Sequence, residues 1–524
     1  MTQERKVFLY DTTMRDGAQT EGISLSVSDK LRISEKLDEL AIPYIEGGWP
    51  ASNPKEMEFF HEAKKLKFKH ATLTAFGSTR KANIPTAKDA QVKSLLDSEM
   101  KVVTIFGKSW DLHVREVFRV PLEENLRMIT ETVAFLKKHG VVVMYDAEHF
   151  FDGFRANPEY ALKTLEMAAE GGASTIILCD TNGGSVPSTI HKVVDEVKRR
   201  IAVPLGIHCH NDAELAVANS IAAVEAGVSQ VQGTINGYGE RCGNANLCSI
   251  IPVLQLKLGY ACLPADRLKE LTEVAHYVAE ICNMRPDDHQ PFVGQSAFAH
   301  KGGVHINAVL KNPETYEQVE PAAVGNRRRL LISELGGKTT ILARVKSLEL
   351  DFDGDPEKAK DFLKTVQEME AQGYHFEVAE ASLELLMRRT YKRYKKFFEL
   401  EGFHVDIEKS PDGELRSEAA VKLKVDGKSE HTVAEGDGPV NALDKALRKA
   451  LIPFYPSVGK MHLVDFKVRV LESKAGTAAK VRVLIQSQDE ENSWWTIGVS
   501  ENIIEASWHA LVDSVEYKLL KDRK

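Results

Sequence analysis

The sequence predicts an α/β chain: a (β/α)8 TIM barrel, then a mainly helical linker region, then a C-terminal α+β unit with pseudo-symmetry. Three observations predict it. Short apolar strands alternate with amphipathic helical stretches eight times up to about residue 275, the count and length of such a barrel. Unusual polar residues collect where those strands end, the face on which barrel chemistry sits. The last part of the chain repeats itself weakly, strands then helix, twice over. A doubly wound sheet is the alternative. It would need a glycine-rich phosphate turn after the first strand, and DTTMRDG, from Asp11 to Gly17, is not one.

Taken in order, the expected strands are residues 7–10, 44–47, 71–75, 102–106, 141–145, 175–179, 205–208 and 230–234. Helical spacing of apolar residues marks 28–40 and 121–139 between them, with Ser28 and Asp29 opening the first and Pro121 the second. The strand ends carry Arg15 and Asp16, Glu46-Gly47-Gly48, Asp146-Ala147-Glu148-His149, Asp180-Thr181-Asn182, Asn211-Asp212, and Asn236 through Asn244. Residues 276–396 read as helical linker subdomains. Within them His300 and His305 flank Lys301-Gly302-Gly303, a tight turn or close backbone approach, or else a linker with incidental histidines. The basic run Asn326 to Arg329 is a solvated face or a site for CoA phosphates. The run RRTYKRYKK, Arg388 to Lys396, reads as an exposed helix or domain boundary. Residues 397–524 form the repeated unit. Strands at 419–425 and 479–486 each lead through a second strand to a helix, at 440–451 and 503–520, with Gly436 and Gly498 at matching places.

Composition narrows the class. The chain has 524 residues, 43% hydrophobic and 27% charged, with a net charge of −8. That is ordinary globular composition with no pull toward nucleic acid or anionic membrane. No apolar run approaches the roughly 20 residues a bilayer span requires, and the N-terminus lacks a signal-peptide core. Six cysteines without a CxxC pair suggest free thiols and a cytoplasmic location.

The chemistry is expected around GIHCHND, Gly206 to Asp212. Alternate strand residues share a face, so His208 and His210 point one way and Cys209 the other. They are half a site for a divalent metal, or two ordinary histidines at a strand end. Asp16, with Asn244 as a further candidate, would complete mixed N/O ligation with open positions, suited to Zn, Mn, Co or Mg. Arg15 beside Asp16 would place a permanent cation at the metal edge. That pairing binds a 2-oxo acid and stabilises a developing oxyanion. Glu46 is a candidate partner for Arg15, as an orienting group or a plain salt bridge.

In this order DTTMRDG, IEGGWP, DTNGG, GIHCHND and GERCGNANL resemble the metal-dependent, Claisen-condensing barrel family that contains 2-isopropylmalate, homocitrate and citramalate synthases. HKGGVH and EGDGPVNAL extend the likeness over nearly the whole chain. YIEGGWPASNPKE, AFGSTR and YDAEHFFDG bring it nearest to the citramalate-forming branch. The resemblance implies that pyruvate and acetyl-CoA condense to citramalate and CoA, as a step of isoleucine biosynthesis. It implies metal ligation by Asp16, His208 and His210, with Asn244 at or near the shell. Arg15 would stabilise the oxyanion, Glu148 and Thr181 would line the reacting centre, and His305 with Tyr316 would reach in from the region after the barrel. Phe76 and the residues around Thr104 are candidates by position for the oxo-acid pocket. A homodimer is implied, with the C-terminal unit as an allosteric and dimerisation domain sensing isoleucine. The alternatives are 2-isopropylmalate or homocitrate synthesis, an acyl-CoA lyase of the same superfamily, and a catalytically silent amino-acid sensor.

Overall fold

The computed structural model describes residues 5–331, 356–390, 394–471 and 478–523. The chain divides into two compact units, Met1–Phe298 with Gln318–Arg328, and Ala299–Glu317 with Arg329–Lys524. Among the described residues no helix is long and apolar enough to cross a membrane.

The first unit is a closed parallel barrel of eight strands, each hydrogen-bonded to the next in sequence and the last to the first. They are β1 (Phe8–Asp11), β2 (Tyr44–Gly48), β3 (Thr72–Ser78), β4 (Val102–Lys108), β5 (Val142–Glu148), β6 (Thr175–Asp180), β7 (Leu205–Cys209) and β8 (Gln230–Gly233). The main surrounding helices are α1 (Val27–Glu39), α2 (Pro54–Ala63), α3 (Ala90–Asp97), α4 (Leu122–Lys138), α5 (Pro158–Gly171), α6 (Pro187–Arg200), α7 (Ala216–Glu225) and α8 (Leu271–Ile281). All eight expected strands form. The start of α1 differs: Ser26, not Ser28, is the cap, and it closes a capping box with Asp29. Strands β3, β4 and β5 run on two or three residues past their expected ends, and Gly107-Lys108 stays in register with Ala147-Glu148. Asp146 and Glu148 are therefore strand residues; their polarity had suggested a loop.

Strand alternation builds two layers. Leu9, Ile45, Val103, Val143, Ile176 and Ile207 face outward into the main apolar core. Tyr10, Val102, Met144, Ile177 and Cys179 point inward and fill the barrel. The inner filling turns polar toward the strand ends. The buried Tyr10 hydroxyl donates to Glu46 Oε1 at 2.6 Å and lies 2.9 Å from Thr74 Oγ1 and 2.7 Å from Thr104 Oγ1. That hydroxyl cluster is the floor of the site.

In the second unit, α9 (Gly303–Lys311), α10 (Pro356–Ala371) and α11 (Glu380–Thr390) precede two three-stranded antiparallel sheets. The sheets are β9 (Phe398–Lys409), β10 (Leu415–Val425) and β11 (Lys428–Gly436), then β12 (His462–Val470), β13 (Val481–Gln488) and β14 (Ser493–Ser500). The helices α12 (Pro439–Leu451) and α13 (Ile503–Asp522) follow the sheets in turn. Ala442, Leu443, Ala446, Leu447, Ala450 and Leu451 recur at helical spacing and bury one face of α12. The internal repeat extends to irregularities: β9 bulges at Leu400/Gly402 and β12 at Leu463/Asp465. The matching glycines are explained by close approach. A Cβ on Gly436 would lie 2.3 Å from the Ala442 nitrogen, and one on Gly498 1.9 Å from the Ala506 oxygen. Sequence reading missed β9 and β12, which are largely solvent-exposed and so lack a clean apolar alternation.

The basic run that begins in the last turn of α11 was expected to be an exposed helix or a domain boundary, and its first two arginines are not exposed. Arg388 is buried against Glu384 at 2.8 Å, and Arg389 pairs with Asp513 at 2.8 Å and with Glu516. Residues 391–393 of that run lie outside the described residues, as does 332–355 of the helical region.

Candidate active site

A tight turn after β1 displays the first two charged groups. The backbone nitrogens of Arg15, Asp16 and Gly17 all donate to the Thr12 carbonyl, at 3.2, 3.0 and 3.0 Å. Arg15 and Asp16 are thereby fixed side by side, with Arg15 NH1 3.2 Å from Asp16 Oδ2. Glu46, fully buried at the end of β2, orients the guanidinium. Its Oε2 accepts from Arg15 Nε at 2.5 Å and from Thr12 Oγ1 at 2.5 Å. The Arg15 guanidinium also lies 3.8 Å from the centre of the Phe76 ring. Burial opposes its charge, but Glu46 and Asp16 outweigh burial and hold Arg15 firmly protonated.

Strand β7 brings the imidazoles to that carboxylate. His208 Nε2 is 3.2 Å and His210 Nε2 is 3.9 Å from Asp16 Oδ2, and the two Nε2 atoms are 3.4 Å apart. Asp16, His208 and His210 are all buried, with ligand atoms within 4.8 Å of one another. Asn244 pairs with His210 through an isolated backbone bridge. Its amide nitrogen is 3.4 Å from His208 Nε2, and its oxygen is buried without a partner. Rotating that amide by half a turn would present the oxygen to the cluster. Burial would raise the Asp16 carboxyl, but Arg15 and then His208 and His210 hold it far below the usual carboxylate range. Burial depresses His208, yet the Asp16 hydrogen bond and charge reverse this and raise it. Burial and the His208 charge push His210 down to about 4.

The residues present fit a divalent metal. A carboxylate and two imidazole nitrogens converge on one point, and the buried Asn244 oxygen lacks any protein donor. A neighbouring pair prepares the lone pair of His208. His208 Nδ1 lies 2.8 Å from Gln232 Oε1, and Gln232 Nε2 donates to Asp146 Oδ1 at 3.1 Å. An acceptor at Nδ1 holds a proton there and leaves Nε2 as the nitrogen available to a cation held together with Asp16. Gln232→Leu should weaken metal affinity by about 10–100-fold, read by titration against a competing chelator, while Gln232→Glu keeps the acceptor and loses less. Equal affinities in the leucine variant and the parent would contradict this role. Gln232 was missed by sequence reading. The available signal was a pair of glutamines, Gln230 and Gln232, alternating onto one face of β8.

These groups line a cavity of about 220 Å³. Glu148 and Thr181 are on its wall. Lys108 forms an ion pair with Glu148 from the adjacent strand end, and Thr181 Oγ1 accepts from the His149 backbone nitrogen at 2.8 Å. Arg241 spans the β6 and β7 loops, donating to both Asp212 oxygens at 2.7 and 3.0 Å and to the Thr181 carbonyl at 2.7 Å. The far wall is aromatic, made of Phe76, Trp49 and Phe106. Thr104 does not face the cavity, since its hydroxyl is occupied beneath by Tyr10.

His305 and Tyr316 belong to the second unit. Their rings stack with centroids 4.1 Å apart, and both residues are exposed. Gly302-Gly303 is not a tight turn: Gly302 caps α9 in an extended conformation and Gly303 begins the helix. His300 is buried against Glu317, 3.1 Å away.

Comparison with known proteins covers the chain from end to end. An HMGL-like family profile matches residues 6–278, a homocitrate synthase post-HMGL domain-like profile 292–374, and a LeuA allosteric (dimerisation) domain profile 377–519. The (R)-citramalate synthase of Aquifex aeolicus is 55% identical over 521 residues, covering 99% of both chains. That of Geobacter sulfurreducens is 54% identical over 519 residues, covering 99% of this chain and 98% of that one. A 2-isopropylmalate synthase of Methanocaldococcus jannaschii is 31% identical over 524 residues, covering 99% and 96%.

Proposed function

The chain belongs to the (R)-citramalate synthase family, and on that premise we propose how its own residues divide the work of the reaction. It is an acyltransferase that joins acetyl-CoA to pyruvate to give citramalate and CoA, a step toward isoleucine. The observation that carries the assignment of residues is the meeting of Asp16, His208 and His210 beside the Arg15 guanidinium.

Asp16, His208 and His210 hold a divalent metal, with Asn244 as a fourth ligand or neighbour. A cation held there would supply Lewis-acid charge to the oxo acid. Arg15, locked by Glu46, presents its remaining N–H groups to the keto oxygen and stabilises the negative charge that grows there. Phe76 supports that guanidinium from below and forms part of the wall against the oxo-acid side chain. Thr181 and Glu148 bind and orient the reacting atoms, with Lys108 fixing the Glu148 carboxylate. His305 and Tyr316 serve the acetyl-CoA half. A methyl proton leaves to a base, the carbon–carbon bond forms at the keto carbon, and water then cleaves the thioester, releasing CoA and the new carboxylate. The His305 imidazole would either remove that proton or position the thioester. The LeuA-type domain supports a homodimer with isoleucine as feedback ligand.

Acetyl-CoA-dependent release of CoA should be fastest with pyruvate among pyruvate, 2-oxoisovalerate and 2-oxoglutarate. Pyruvate as the poorest of the three would reject the assignment. Isoleucine added to the same assay should inhibit, and no response to either isoleucine or leucine would reject the regulatory part.

A further inference from the structure

We infer that Trp49 sets the upper size limit of the 2-oxo acid, an inference that rests on the pyruvate reading above. The cavity beside the metal ligands ends in three rings that touch one another. Phe76 and Phe106 stack with centroids 5.5 Å apart, and Trp49 stands edge-on to both, at 5.8 and 5.7 Å. Arg15 lies 3.8 Å over Phe76. The charged pole that receives the keto and carboxylate oxygens is therefore about one ring away from the apolar wall. An oxo acid anchored at that pole must direct its alkyl group toward these rings.

The three rings are not equivalent. Phe76 carries Arg15, so changing it disturbs the oxyanion machinery. Trp49 closes the wall across both phenyl rings with the largest side chain. Its ring contacts are with Phe76 and Phe106. Its indole Nε1 is buried and has no hydrogen-bond partner. A buried, unpartnered donor costs stability, so this indole is poorly explained as a fold element. It is better explained as a surface shaped for a ligand.

The test uses the full-length, metal-loaded enzyme with pyruvate, 2-oxobutanoate and 2-oxoisovalerate. Trp49→Ala and Trp49→Leu should raise kcat/KM for 2-oxoisovalerate relative to pyruvate at least tenfold, within the 10–200-fold that one methylene can carry in an apolar pocket. Trp49→Phe, which keeps a ring, should shift the ratio less than either. In the unaltered enzyme, competitive inhibition against pyruvate should weaken steeply as unreactive oxo-acid analogues gain branches, a readout that needs no variant to fold. An unchanged ratio in both Trp49→Ala and Trp49→Leu, with metal content and pyruvate turnover retained, overturns the role of Trp49 alone. Equal inhibition by small and branched analogues does the same. A parent enzyme that prefers 2-oxoisovalerate overturns the pyruvate reading and this inference with it.

Discussion

Replacing Arg15 by alanine should lower turnover by about 10³-fold or more, while the metal content of the purified protein stays at the parental level. Removal of one oxyanion donor costs about 10²–10³ in kcat, and Arg15 provides both N–H donors and a full positive charge. Its charge is built in during folding. Glu46, Thr12 and Tyr10 are fixed around it before any substrate arrives, so none of the stabilisation is spent on reorganisation. Arg15→Lys should recover little. An ammonium keeps the charge, but it cannot reach Glu46 through one nitrogen and Asp16 through another while lying flat on Phe76. Alanine also strands a buried carboxylate on Glu46, and breaking a buried pair costs about 3–5 kcal/mol. Thermal unfolding must therefore accompany the kinetics. The double variant Arg15→Ala/Glu46→Gln removes that penalty and should regain stability without regaining activity. Full activity in Arg15→Ala would undo the mechanism.

The parts that sequence reading recovered are those governed by local rules. The eight barrel strands are short apolar runs at regular spacing, and all eight form a closed barrel. His208 and His210 stand on one strand, so their shared face follows from strand periodicity alone. Asp16 and Arg15 were legible because consecutive charged residues at a strand end are unusual. What escaped is set by neighbours distant in the chain. Gln232 touches His208 because β7 and β8 pair in register at those two residues, and nothing in QVQG states that register. Trp49 and Phe106 meet Phe76 through the register of β2, β3 and β4, which the sequence does not state. Thr104 was placed near the oxo acid because it sits on the correct strand. Its hydroxyl joins the Tyr10 cluster at the floor, whereas Phe106, two residues on, lines the cavity wall. His305 and Tyr316 show the limit from the other side. Their motif is legible and the two rings do stack, but their role depends on the resemblance and not on strand or helix periodicity.

Asp16→Asn should strip the metal and reduce turnover by about 10³-fold or more, although the side chain keeps its shape. One oxygen of Asp16 faces Arg15, His208 and His210 together, and an amide supplies no charge to hold a dication beside a guanidinium. The same contacts fix the pH behaviour of the metal-free protein. The Asp16 carboxyl is depressed from 3.8, so its contribution to stability is present above that value and is lost only as pH falls through the lower folded value. His208 is raised from 6.5, so its contribution is complete below 6.5 and is lost as pH rises through the folded value. The pair therefore stabilises the metal-free protein most between about 3.8 and 6.5, and Asp16→Asn should flatten that window in denaturant titrations. Metal must displace the His208 proton. Affinity should rise about tenfold per pH unit up to the His208 titration and then level off. His210, at about 4, is already neutral there and adds nothing to the slope. Chelator-competition titrations from about pH 5 to 9 should thus show one proton released per metal ion. A slope of two would mean that both imidazoles start protonated. A slope of zero across the whole range would mean that His208 carries no proton for the metal to displace, and would reject the raised His208.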